Sequence, residues 1–141
     1  MEQQVMYKFS KMELTQFALF EENYRHDVSD VQFQAEVQFS FDKAQNVLCS
    51  KIVINAVQAE KPLIKAELKS FFAIKPESVE MLMSDGKILF APALLTQFAS
   101  LCYGSMRGVV YAKSMGTQLC SLILPPVYFG SLITSGFTVE K

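Results

Sequence analysis

The sequence is poor in the residues that most chemistry requires. It has one histidine, His26, set among polar residues, so a Ser-His or Cys-His nucleophilic pair is hard to assemble. Cys49, Cys102 and Cys120 are odd in number and share no CxxC spacing, which suggests neither a disulfide framework nor a zinc site and points to a reducing, cytoplasmic setting. Gly86-Lys87 lacks the upstream glycine and the following Ser or Thr of a phosphate cradle, and no dinucleotide fingerprint occurs. No cofactor is implied. With 13 basic and 14 acidic side chains the net charge is -1, which provides no field for attracting a nucleic acid. The start, Met1-Glu2-Gln3-Gln4, carries early acid and no apolar run of signal-peptide type. The acids are scattered, and no pair is set up for proton transfer. The expectation is a binding protein, not an enzyme.

What is present is apolar surface. Of 141 residues, 50% are hydrophobic and 12% aromatic, enough to bury one sizeable core, so residues 1–141 read as a single domain. Charge is uneven: only Arg107, Lys113, Glu140 and Lys141 follow Ile88. Residues 88–106 are uncharged and about as long as a membrane span. Pro92, Thr96, Gln97, Ser100 and Ser105 interrupt them, which favours a helix buried between protein surfaces over membrane insertion.

Hydrophobic periodicity predicts an α+β fold. Residues 31–42 alternate strictly, Val31, Phe33, Ala35, Val37, Phe39 and Phe41 against Gln32, Gln34, Glu36, Gln38, Ser40 and Asp42, as in an antiparallel strand with one wet face. Residues 47–59 and 63–74 continue this as a meander through polar turns at 43–46 and 60–62. Residues 5–19 predict a first strand with a bulge or change of register, and 21–30 a long polar crossover. The period then lengthens. Pro76-Glu77-Ser78 starts a short helix that Asp85-Gly86 ends, and a long helix is predicted over about 92–114. Gly104, Gly108 and Ala112 recur on it at four-residue steps, and each interior glycine costs about 1 kcal/mol against alanine. Such a row suits a helix-to-helix or subunit contact; the alternative is a core helix pressed on its own sheet. Gly116, Pro125-Pro126 and Gly130 break the remainder into short pieces, including a short C-terminal helical segment.

The order of these features, from a crossover-linked four-stranded antiparallel sheet to a long helix with Arg107-Gly108, then Gly116-Thr117 and Leu124-Pro125-Pro126-Val127, resembles the SecB family of export chaperones. Ile88-Leu89-Phe90 adds to the likeness, which spans residues 5–133. The resemblance implies an ATP-independent holdase for unfolded polypeptides, assembled as a dimer of dimers and delivering preproteins to SecA. It places client contacts at Phe17, Leu19 and Phe20, at Val37, Phe39 and Phe41, and at Tyr128 and Phe129, with SecA docking at Glu21 and Glu67. Phe17 stands where an acid would align, Lys65 where an apolar contact would help, and no long final helix follows. A chaperone for a dedicated client, such as an antitoxin, and a non-chaperone scaffold subunit remain the alternatives.

Overall fold

The computed structural model describes residues 4–27 and 30–140. Its main sheet comprises β1 (Tyr7–Leu19), β2 (Val31–Asp42), β3 (Val47–Gln58) and β4 (Lys61–Ile74), in the spatial order β1-β4-β3-β2 and antiparallel throughout. The last three strands form a meander, and the crossover carries the chain from β1 at one edge to β2 at the other. As expected, β1 is irregular: its register against β4 shifts between Phe9 and Lys11 and again between Leu14 and Gln16.

A polar latch holds the crossover, of which Val28 and Ser29 lie outside the described residues. The buried Gln58 amide accepts from the Arg25 backbone N–H (2.8 Å) and donates to its carbonyl (3.0 Å), so a polar side chain at the end of β3 is satisfied without water. The Glu21 carboxylate accepts from the Gln118 N–H (2.7 Å), and the His26 ring lies 3.2 Å from the Gln118 side chain. These contacts tie the crossover to the 3-10 turn Gln118–Ser121.

After the sheet come α1 (Pro76–Met81), the two-residue β5 (Met83–Ser84), β6 (Lys87–Phe90), α2 (Pro92–Ser114), a second 3-10 turn (Phe129–Ser131) and β7 (Phe137–Glu140). Proline opens both helices, where its missing N–H costs nothing. Past α2, Met115 is extended and Gly116 adopts φ 84°, while the Thr117 hydroxyl donates to the Ser114 carbonyl and accepts from the Leu119 N–H. One sequence expectation needs correction. Asp85-Gly86 does not end a helix: both residues have positive φ, 51° and 75°, and form the turn of a β5–β6 hairpin, which β7 extends to a second, three-stranded sheet.

The core lies between α2 and one face of the main sheet. Leu95, Phe98, Cys102, Met106 and Val110 of α2 pack on Leu48, Ile52 and Ile54 of β3 and on Leu68 and Phe72 of β4, all buried. Small residues bring the helix close. Ser50 and Ser70, directly opposed on β3 and β4, are fully buried beneath Cys102, whose thiol reaches the Ser50 carbonyl at 3.4 Å. Burial pushes that thiol above its ordinary pKa, so Cys102 is an inert core residue.

The β3–β4 turn stores strain. Ala59 and Glu60 both have positive φ, 51° and 65°, in a two-residue hairpin that normally takes Asn-Gly. Because the left-handed region costs an ordinary residue about 1–2 kcal/mol, the double variant A59N/E60G is expected to raise stability by about 1–2 kcal/mol. Chemical denaturation checks this: the midpoint should rise with an unchanged slope.

Candidate functional site

The helix is narrower than the sheet it covers. α2 packs over β3 and β4 and leaves the outermost strands partly uncovered. On β2, Val37 lies opposite Ile52, Phe39 opposite Ser50 and Phe41 opposite Leu48, so these side chains share the face on which α2 sits. Their β3 partners are fully buried, whereas the whole row Val31, Phe33, Ala35, Val37, Phe39 and Phe41 is only half-buried. The Phe41 ring leans on Phe90, 5.2 Å between centroids, and Phe90 stacks on Phe137. The small sheet therefore anchors one end of this row and leaves the rest accessible.

A second row, covered only in part, lies on β1, where Lys113 of α2 reaches over the Phe17 ring at 5.7 Å. Leu14, Phe17 and Leu19 are half-buried on the same sheet face, and Phe20, just beyond, donates its N–H to the Leu63 carbonyl. Phe9 and Met12 project further, Met12 with half its surface exposed (51%), and the Phe9 ring rests on Phe72, 4.8 Å between centroids. The two sets of sequence-predicted contacts therefore do not meet: Phe17, Leu19 and Phe20 belong to one edge of the sheet, Val37, Phe39 and Phe41 to the other. Three strand spacings of about 4.8 Å put the edges roughly 14 Å apart.

The pair after the double proline divides. Tyr128 is 77% exposed, whereas Phe129 is 1% exposed with its ring edge-on to Tyr103 at 5.5 Å. Phe129 is therefore a core residue in this fold, with no surface to offer a ligand. The Tyr103 hydroxyl donates to the Pro125 carbonyl (2.6 Å) and Arg107 Nε to the Leu124 carbonyl (3.0 Å). Two of the sequence's most distinctive features, Arg107-Gly108 and Leu124-Pro125-Pro126-Val127, thus serve each other, one holding the other against α2.

Both sequence-predicted acids are occupied. Glu21 caps the turn at Gln118. Glu67 lies on the sheet face that α2 leaves bare, where it accepts from the Thr15 hydroxyl and approaches Lys51 at 3.7 Å, with Lys65 and Lys69 flanking it along β4. The Thr15 hydrogen bond, aided by Lys51 and Lys69, holds its carboxyl below the usual carboxylate range. Gly104, Gly108 and Ala112 are exposed on the side of α2 away from the sheet, and a Cβ on either glycine would meet nothing within 4 Å. The small-residue row is not what presses α2 to its own sheet; Leu95, Phe98, Cys102 and Met106 do that.

Little else suggests chemistry. A hollow of about 660 Å³ is a trough open to solvent beside Met6, Lys8, Lys75 and Leu94. Burial raises the Cys49 pKa despite the opposing pull of the Ser40 hydroxyl and Lys69. Among the described residues no three His, Cys, Asp or Glu side chains gather as metal ligands, and no helix is long and apolar enough to cross a membrane.

The main sheet is a Greek key of four antiparallel strands with one long helix on a single face. The chain is similar in fold to the Mycobacterium tuberculosis Rv1957 SecB-like chaperone, solved in complex with a ChAD peptide from the Rv1956 HigA1 antitoxin, at TM-score 0.56 and 12% identity over 86% of this chain and 90% of that one. A protein of unknown function from Streptococcus agalactiae aligns over 89% of this chain and 98% of that one, at TM-score 0.41 and 13% identity. No family profile and no curated protein matches the sequence.

Proposed function

We propose that the protein is an ATP-independent holdase that binds extended, unfolded polypeptide on the apolar rows at the edges of its sheet. The observation that carries this reading is the β2 row: six apolar positions at alternate residues, on the core side of the sheet, that α2 covers only in part. Large apolar side chains left accessible in a row suit many unlike segments, because burying aromatic and aliphatic surface demands no particular partner sequence. The two edges of one chain offer separated weak sites, and a long client engaging several would be held by avidity. The likeness to a solved SecB-like chaperone supports the same reading at the level of fold.

Two finer points belong to the proposal. The chain pairs through the exposed face of α2, where Gly104, Gly108 and Ala112 would let a second helix approach closely, giving a dimer. A dedicated client is favoured over delivery to SecA: Glu21 and Glu67 are engaged within the chain, and the lysines around Glu67 offset the acidic field that such docking would use. The test is spontaneous refolding of an unrelated denatured protein. An excess of this protein should slow refolding severalfold without ATP, by mass action on the unfolded state. Unchanged refolding, alongside saturable binding of a single folded partner, would instead identify a scaffold subunit.

A further inference from the structure

The two edges of the main sheet are built differently. β1 carries Lys8 and Lys11 and two register shifts, all devices that keep a strand edge from recruiting another strand. β2 carries none of them. Over its twelve residues it has no lysine, arginine, proline or glycine, its pairing to β3 runs without a register shift from Val31 to Asp42, and among the described residues no strand pairs with its outer side. In such a regular antiparallel strand every second residue turns its N–H and C=O away from the inner neighbour. β2 therefore offers a straight ladder of donors and acceptors alongside its half-buried apolar row.

We infer that β2 takes up client polypeptide as an added fifth strand, so that backbone hydrogen bonds, not side-chain contacts alone, hold the client. This rests on the holdase reading and specifies how that site works. Main-chain pairing supplies affinity that is indifferent to sequence, and the apolar row receives alternate client side chains. The other face sets a preference: its side chains are Gln32, Gln34, Glu36, Gln38, Ser40 and Asp42, all exposed, with two acids and no cation. The occupant is thus an extended segment with alternating apolar side chains on one face and lysine or arginine on the other. A second copy of β2 fits less well, since it would bring a second Glu36 and Asp42 to the same seam with no cation on either strand.

Three peptides and one exchange experiment test this. The probe is a peptide as long as β2 in which leucine and phenylalanine alternate with serine and lysine; the other two share its sequence with N-methyl groups on the amides of odd or of even positions. The inference expects the unmodified peptide to bind, every second β2 amide to gain protection from hydrogen exchange, and one methylated peptide to lose about tenfold or more in affinity while its counterpart keeps most of its own. E36K should weaken the basic probe severalfold with the fold intact. Binding without alternating protection, and with both methylated peptides unaffected, overturns strand addition and leaves the holdase standing. Alternating protection that appears without peptide and grows with protein concentration assigns the edge to a second copy and overturns the inference. Failure of every peptide to bind removes both readings.

Discussion

The double variant V37S/F39S should lose most of the ability to delay refolding of an unfolded client, with the client concentration for half-saturation rising severalfold. Fully burying a valine or phenylalanine is worth about 1.5–3 kcal/mol. Both residues are already largely buried in the free protein, so a client completing their burial gains at most about a third of that from each, about 1–2 kcal/mol for the pair, which corresponds to a severalfold change. The substitutions also remove packing against the core, so stability has to be separated from binding. I54V serves for that: Ile54 lies fully beneath α2, and shortening it costs about 0.5–1.5 kcal/mol without touching an accessible surface. It should lower the denaturation midpoint and leave the delay unchanged. Equal loss of activity in both variants would show that V37S/F39S acts through stability alone.

The second large effect concerns assembly. G104E/G108E should reduce the mass in light scattering to that of the single 15.9 kDa chain, with undiminished helix content. The isolated chain has no objection to these side chains, because nothing lies within 4 Å of a Cβ at either position. Each replacement also removes a glycine from a helix interior, worth about 1 kcal/mol. Only a second copy lying on this face would be displaced, by bulk and by like charge. An oligomer of undiminished mass would move the subunit contact elsewhere, leaving the two glycines as an unexplained cost to α2.

Strand pattern was legible wherever local period decided the outcome. The alternation of residues 31–42, the bulge in β1 and the full extent of α2 all follow from the order of apolar and polar side chains over a few turns or pleats. The second sheet was not found, although Asp85-Gly86 is a strong hairpin signal, because β5 has two residues and shows no period of its own. β7 depends on pairing with β6, distant in sequence, and four residues of local pattern do not announce such a partner. The site was half legible. The strict alternation of β2 looks the same whether α2 covers the strand or not; its place at the edge of the sheet decides that, and topology sets the place. The resemblance placed Phe129 among the client contacts, yet it lies on a segment that Tyr103 and Arg107 draw onto α2, which carries the ring inward. The engagement of Glu67 needed cross-strand register, which brings Thr15 and Lys51 to it from different strands.

The central claim is that the β2 row stays open to foreign polypeptide in the assembled protein. Placing a photo-activated cross-linking side chain at position 37, and illuminating with a denatured client at concentrations where the protein is fully assembled, addresses it directly. The account predicts an abundant adduct with the unfolded client, little with the same client in its native state, and none from an equivalent probe at buried Phe72. Adducts only between copies of this chain, or none at all from position 37, would contradict it.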